Sequence, residues 1–577
     1  KHTTLEEFVR GLELAQKHGL KVMPSPDICY TRWNEAVRIE DPGKILSPEN
    51  LVLLNARMKS GGATLATGIK GVLLQPPFRD LSKARKTELY LEYFHNNRDR
   101  LTEAITAATG YSHLMGHFIL DEPLLQLGAD VVGQAFYRMI NELDGYHPVF
   151  VNYSSSIPDT IEALNWSDAL GTDPYWIPAA RGKGGRNTIN FVPRTVAITK
   201  ERADRVRSVT WSVLMAEYWS GCNRRILQPQ EQKCQTYLAL IHGAKGILYY
   251  SYPLYSRSIF DTLSELSQQV GVLGPACLQP TVKQEVQYTP GTLDPLKNVF
   301  TDVQVAFKRS PAGGYILLAA NAARYPVDTT FSLPDFKGPA SIERLFAKAS
   351  CAVSDRSFVD RIEAFGVRAY GIPDGAVPEP VRLTVTMAPR KDLAVGEVPG
   401  FTREGRVKLR NILPNPSYEE VSVEGWPDYH KKVWGLTHSP AGFIGGPEAN
   451  WGISKDRPWH GANCLFLKTA GGPDQVIAYT DVAIKVTEPQ EYTFSAFLRA
   501  DRDDVTVDLN MGPYSHRKDK SVKVGQTWGR HMLSVALPKG YFYTMALVIL
   551  RRNEAPARVW IDAAQLEAGS DPTEFQP

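Results

Sequence analysis

Six times along this chain, a stretch with apolar residues at helical spacing gives way to a short, almost wholly apolar run that ends in polar or aromatic residues. In "LEEFVRGLELAQKHGLKVMPSP", Leu5, Phe8, Val9 and Leu12 share one helix face, and Gly19 ends the pattern before "LKVMPSP". "YLEYFHNNRDRLTEAITAATG" precedes "HFILDEP", and "VVGQAFYRMINELDGY" precedes "HPVFVNYS". "TIEALNWS" leads to "DALGTDPYW", a further segment to "VTWSVLMAEYW", and "QKCQTYLALIHGAKG" to "ILYYSYP". A strand that is apolar throughout is buried on both faces, so the pattern predicts a parallel sheet covered by helices.

The runs end in Asp27, Glu122, Asn152, Asp173 with Tyr175, Glu217, and Tyr250 with Tyr252. In a (β/α)8 barrel the C-terminal strand ends converge on one face, whereas a doubly wound sheet concentrates its functional ends at one switch point. Six polar ends favour the barrel. A closed barrel needs eight strands, and the first helix follows no strand. The first strands are therefore expected to be missing from this chain, lying before Lys1, unless "GIKGVLLQPPF" supplies one.

The catalytic barrel is expected over 1–275. Beyond it, "VFTDVQVAFKRS", "GGYILLAANAA", "VDTTFSLPD", "SIERLFA" and "EAFGVRAYGI" are short strands parted by turn residues, which predicts an antiparallel β-sandwich over 276–372. The Pro-rich stretch 373–410 reads as a linker or connecting strands, and 411–577 as a second all-β module.

Composition removes several function classes. Lys and Arg number 65 against 62 Asp and Glu, a formal charge of only +3, which argues against nucleic acid as the main partner. No apolar run reaches the roughly 18 to 20 residues of a bilayer span. The six cysteines, Cys29, Cys222, Cys234, Cys277, Cys351 and Cys464, show neither a CxxC nor zinc spacing with histidine, so neither a disulfide scaffold nor a zinc site is expected. The 11 Trp and 25 Tyr suit sugar stacking as well as they suit cores. The chain opens "KHTTLEEFVRG", without an initiator Met or a signal-peptide core, so compartment has to be inferred indirectly.

Glu122 and Glu217 are the leading catalytic candidates. Glycosidic hydrolysis needs two carboxyl groups flanking the scissile bond, one protonated and one ionised, and two glutamates on facing strand ends supply both. Glu217 lies beside Tyr218 and Trp219, where partial exclusion of water raises a carboxyl pKa. Either residue, taken alone, also reads as a solvated acid at the start of a loop. His113 and His117 stand four apart but flank a strand start with no third ligand, and are read as structural.

The order of these strand ends resembles the clan A glycoside hydrolases, retaining (β/α)8 enzymes whose acid/base glutamate follows the fourth strand in Asn-Glu-Pro and whose nucleophile ends the seventh. "DEP" is similar to the first motif and "LMAEYW" to the second, which implies Glu122 as acid/base and Glu217 as nucleophile. "LKVMPSP" then becomes the third strand. Asp121 departs from the family, which has an Asn donating to the sugar 2-hydroxyl; an ionised Asp only accepts, so it either inverts that contact or binds a protein group. Tyr175 in "TDPYW" is placed like the aromatic whose hydroxyl orients the nucleophile, or it is simple packing. Asn152 and Asp173 are further substrate-binding candidates. Trp176, Trp219, Tyr250 and Tyr252 form either a stacking platform or the wall of the barrel mouth.

"NILPNPSYEE", "YTFSAFLRA", "QTWGRHMLSVAL" and "VWIDAAQLEAGSDPTEFQP", in that order over 411–577, resemble the jelly-roll carbohydrate-binding modules found beside polysaccharidases. The resemblance implies a structural Ca²⁺ held by Glu419 and Asp562, against two ordinary surface acids as the alternative. Trp434, Trp451 and Trp459 are stacking or core candidates. No cofactor is expected for catalysis. The expectation is a retaining hydrolase of β-glycosidic bonds in a poly- or oligosaccharide, acting in a secreted, periplasmic or cell-surface location. Its rivals are a noncatalytic carbohydrate-binding protein with a degenerate barrel and, ranked last, a barrel using Asp27 and Asp173 on a metal.

Overall fold

Strand β2 (Val149–Tyr153) is buried at every position, as a fully apolar run in the middle of a helix-covered sheet has to be. The computed structural model describes residues 5–24, 73, 78–96, 98–154, 157–176, 188–216, 227–250, 257–393, 411–413, 415–419, 421, 427, 450–470, 475–512, 516–551 and 555–577. Within them, β1 (His117–Asp121), β2, β3 (Ala169–Thr172), β4 (Val209–Met215) and β5 (Gly246–Tyr250) form one all-parallel sheet in chain order. The sheet continues past β1. Met115 N donates to Val22 O at 2.7 Å and Phe118 N to Pro24 O at 3.0 Å, so the described end of the "LKVMPSP" segment, Val22 to Pro24, runs alongside. Six sequential parallel segments form a curled partial barrel.

Its helices are α1 (Leu5–Lys17), α2 (Lys83–Asn96), α3 (Arg98–Thr109), α4 (Ala129–Leu143), α5 (Phe191–Val206), α6 (Pro229–Ile241) and α7 (Arg257–Cys277). Helix α4 buries Val132, Phe136, Met139 and Ile140, one stripe at helical spacing. Helix α6 starts with Pro229 after a capping box between Gln228 and Glu231. The "TIEALNWS" unit is only a 3-10 turn, Ile161–Ala163. A segment this short cannot meet the cost of helix nucleation, and buried Leu164 and Trp166 hold it instead. Trp166 lies so close that a Cβ on Gly133 of α4 would sit 2.4 Å from its ring. At the foot of the sheet His117 Nε2 donates to Asp144 Oδ2 at 2.8 Å, tying β1 to the end of α4. Burial lowers the His117 pKa, so this histidine is a neutral structural group.

Nine strands follow: β6 (Gln284–Thr289), β7 (Val303–Arg309), β8 (Tyr315–Asn321), β9 (Val327–Ser332), β10 (Ser341–Arg344), β11 (Ala349–Ala352), β12 (Ser357–Ile362), β13 (Val367–Ile372) and β14 (Val381–Pro389). They make two sheets, ordered β11-β10-β13-β8-β7 and β12-β9-β14-β6, around one core that includes Phe307, Leu317, Phe331, Phe358 and Tyr370. Residues 381–389, within the stretch read as linker or connecting strands, pair with both β9 and β6 and so belong to this second sheet. Strand β8 is buried at every position because its outer face meets the barrel. Cys234 of α6 lies 3.4 Å from Asn321 O, and Gln304 bridges His242 (2.7 Å) and Asn190 (2.8 Å).

The last module has β15 (Trp451–Ser454), β16 (Cys464–Thr469), β17 (Gln475–Val486), β18 (Gln490–Ala500), β19 (Val505–Gly512), β20 (Lys518–Val524), β21 (Gly529–Leu537), β22 (Gly540–Arg551) and β23 (Ala557–Ala568). Two antiparallel sheets, β15-β16-β23-β18-β21 and β17-β22-β19-β20, share a core with Leu498, Val507, Leu509, Leu550 and Ile561. No helix among the described residues is long and apolar enough to cross a membrane.

Candidate active site

Side chains two apart on a strand share a face. Phe150 and Asn152 therefore both point into the concave side of the barrel sheet, while Val149, Val151 and Tyr153 join the core beneath the helices. Phe150 lies 5.0 Å from Phe118 on β1 and 5.2 Å from Trp211 on β4. Glycines make room for these rings, since a Cβ on Gly171 would meet Phe150 at 2.4 Å and one on Gly246 would meet Trp211 at 2.7 Å. The result is an aromatic floor. Sequence reading did not identify it, although the signal is there: an aromatic residue precedes the polar strand end in "FILDE" and "FVN".

One step above the floor the strands turn polar. The ladder runs one residue past each strand: Glu122 N donates to Asn152 O (2.7 Å), Asp173 N to Tyr153 O (3.3 Å) and Ala216 N to Tyr250 O (2.7 Å). Glu122 sits at φ 43°, a left-handed conformation that costs a residue with a Cβ about 1–3 kcal/mol. That turn breaks the strand direction immediately before Pro123, with the Glu122 backbone still held in the ladder.

Three carboxyl groups meet here. The Asp173 carboxyl lies within the field of Glu122 and of Asp121. Asp121 Oδ1 accepts a hydrogen bond from Asn152 Nδ2 at 2.9 Å, and Asn152 Oδ1 is buried without a partner. Asp121 and Glu122 are exposed, whereas Asp173 is 7% exposed. Burial, then the adjoining Glu122 and Asp121 carboxyls, raise the Asp173 pKa above the usual carboxylate range. Tyr175 follows in a tight turn, its N donating to Asp173 O at 2.7 Å, and its ring lies 5.7 Å from that of Tyr250. Burial, then Asp173, raises the Tyr175 pKa, so the phenol keeps its proton.

The structure thus brings Asp121, Glu122, Asn152, Asp173, Tyr175 and Tyr250 to one end of the sheet. Trp176 is 1% exposed and packs toward Phe365 of the middle sheets, 6.5 Å away, so it is a core residue at that joint. Glu217, Trp219 and Tyr252, along with Asp27 and Trp434, lie outside the described residues. The described part of β4 leads directly to Glu217: Gln235 Nε2 donates to Met215 O at 2.6 Å, and Ala216 is in the ladder.

In the C-terminal module, Glu419 and Asp562 grip one loop from two sides. Asp562 Oδ2 accepts from Trp459 N (2.7 Å) and His460 N (2.9 Å), and Glu419 Oε1 from Ala462 N (3.0 Å) and Asn463 N (2.9 Å). Asp562 is fully buried, and among the described residues no lysine or arginine pairs with it. Burial, with Glu419's charge adding, pushes it up to about 7. Both acids are hard-oxygen donors of the kind Ca²⁺ takes, and the oxygens that face the loop are occupied by its backbone N–H groups. Among the described residues no group of three or more His, Cys, Asp and Glu is arranged to hold a metal. Trp459 is 41% exposed and stacks on Phe497 at 3.8 Å, while Trp451 is buried. Cys234, Cys277, Cys351 and Cys464 are buried free thiols.

No protein-family model and no curated protein matches this chain. Solved structures similar to it include two α-amylases. The Anoxybacillus enzyme is 11% identical with a TM-score of 0.38, covering 64% of this chain and 80% of its own. The Geobacillus thermoleovorans enzyme, complexed with acarbose, is 9% identical with a TM-score of 0.40, covering 64% and 81%. TmCBM61, in complex with β-1,4-galactotriose, is 15% identical with a TM-score of 0.20 and covers 28% of this chain and 99% of its own.

Proposed function

We propose that the protein is a glycoside hydrolase that cleaves β-glycosidic bonds of a poly- or oligosaccharide with retention. The observation that carries the reading is the meeting of Asp121, Glu122 and Asp173 at the C-terminal ends of parallel strands, above an aromatic floor and beside two tyrosines. Such strand ends are where barrel enzymes keep their chemistry. Glu122 protonates the leaving oxygen while Glu217 attacks the anomeric carbon; Glu122 then takes a proton from the water that releases the sugar. Asp121, Asn152, Asp173 and Tyr250 bind sugar hydroxyls, Tyr175 orients the nucleophile, and Trp219 and Tyr252 wall the mouth.

The C-terminal module is proposed to be a jelly-roll carbohydrate-binding unit whose Glu419 and Asp562 hold a structural Ca²⁺, with Trp459 as a stacking surface. An extracytoplasmic site of action follows from a polysaccharide substrate. Glu122→Gln and Glu217→Gln should each abolish hydrolysis of an aryl glycoside that the wild type cleaves. Hydrolysis that survives in both variants rules the assignment out.

A further inference from the structure

Phe365, in the turn between β12 and β13, sits at φ 55°, a left-handed conformation that strains a residue with a Cβ. The turn is nonetheless tightly held. Phe365 N donates to Ala323 O (3.1 Å), Gly366 N to Glu363 O (2.8 Å) and Asn321 N to Gly366 O (2.9 Å), while the buried Asn321 side chain donates from Nδ2 to Tyr325 O (2.8 Å) and Glu363 O (2.9 Å). The Phe365 ring is 9% exposed, yet it packs outside the sandwich's own core, in the cluster that holds Trp176, Leu214, Met215 and Tyr237 of the barrel. Strain that persists is over-determined by its surroundings and marks a place to look for function. Here it aims a sandwich side chain at the barrel.

On the barrel side that ring meets Trp176, 6.5 Å away between ring centres. Trp176 is buried and its indole Nε1 has no hydrogen-bond partner, so packing alone sets its place. The segment from Asp173 to Trp176 therefore has two anchors. At one end Asp173 N is in the ladder to Tyr153 O (3.3 Å), and at the other the indole is wedged into the joint. Tyr175 lies between them, in a turn closed by its own N on Asp173 O (2.7 Å). Its ring packs against the same joint core and stands 5.7 Å from that of Tyr250.

We infer that Phe365 is a positioning residue of the candidate active site: its ring braces Trp176, and the brace fixes the turn that presents Tyr175 beside Tyr250. The middle sandwich is then a wall of the site and not a spacer beside it. The inference rests on the reading of these strand ends as a glycosidase site, and it adds a residue that touches no sugar. A misplacement of about 1 Å in a positioned group costs up to about a hundredfold in rate, and loss of the ring opens space on that scale at the Trp176 end of the turn.

The test substitutes Phe365 in the full chain. Glycine suits φ 55°, so Phe365→Gly keeps the turn of the sandwich and removes only the brace. On an aryl glycoside that the wild type cleaves, kcat/KM should fall about ten- to a hundredfold in Phe365→Gly and stay within about twofold of wild type in Phe365→Tyr, which keeps the ring. In a Tyr175→Phe background the same glycine substitution should cost less than about threefold, because the hydroxyl whose position the brace secures is gone. A merely structural Phe365 gives an equal loss in both backgrounds, and that result overturns the inference. The difference in tryptophan emission between each protein and its Trp176→Phe counterpart isolates Trp176. In Phe365→Gly that signal should shift to the red as the indole meets water, and an unchanged signal overturns the brace. If Phe365→Gly does not fold, Phe365→Leu is read against the same outcomes. If the wild type cleaves no aryl glycoside, the hydrolase reading falls, while the emission comparison still decides whether Phe365 braces Trp176.

Discussion

Asn152 Nδ2 donates to Asp121 Oδ1 at 2.9 Å, so the acid that stands where the resembling family has a donor is itself served by a donor on the neighbouring strand. Asp121 therefore has a protein partner for one of its oxygens. Replacing Asn152 by Leu leaves that carboxylate without its amide partner. Because Asp121 is exposed and water can replace the amide, a loss of about 0.5–1.5 kcal/mol is expected, read as a lower urea midpoint at unchanged slope. An unchanged midpoint would mean that the bond contributes nothing net.

Gly171 sets the height of the aromatic floor. Gly171→Ala places a Cβ 2.4 Å from the Phe150 ring, in a layer also bounded by Phe118 and Trp211. Overpacking of this kind costs about 1–3 kcal/mol. Thermal unfolding should show that loss, and any hydrolytic activity should fall with it because Asn152 lies on the same strand face as the displaced ring.

His242 gives the joint between the barrel and the middle sheets an acid sensitivity. Burial lowers its pKa to about 4, with the Gln304 hydrogen bond opposing the shift. A lowered histidine binds its proton more readily when unfolded. Its contribution is intact above the unfolded value of 6.5 and is lost as pH falls from there toward about 4. With allowance for its partial exposure, the loss is about 1–2 kcal/mol. Denaturant titrations across that window should show it in the wild type, and His242→Gln, which cannot titrate, should be flatter.

Calcium should stabilise the C-terminal module if Glu419 and Asp562 hold it. At a hundred times Kd the gain is about 2.7 kcal/mol, seen as a rise in melting temperature on adding Ca²⁺ and its reversal by a chelator. Asp562→Ala should abolish the response. A response of equal size in that variant places the ion elsewhere.

Much of the barrel was legible because burial on both faces writes an apolar run directly into the sequence. The six segments, their order and their polar ends at Glu122, Asn152, Asp173 and Tyr250 follow from that periodicity alone. "TIEALNWS" was less legible: it has helical spacing, but the tertiary contacts of Trp166 and Leu164 outweigh a local preference that is too short to nucleate. Trp176 shows the same limit, since an aromatic at a strand end has one sequence signature whether it faces the mouth or a neighbouring domain, and Phe365 makes it core.

The sequence by itself determined which residues stand at the strand ends, because strand period and apolar burial are local properties. Only the tertiary structure decided which of those ends touch. Asp173 and Glu122 are far apart in the chain, and their charges feel each other only because β1 and β3 flank β2 and the sheet curls toward its own concave face. In the same way, β23 carries Asp562 to the loop that Glu419 also holds. Charge proximity depends on distance in space, which the strand ladders set and the linear order of residues does not contain.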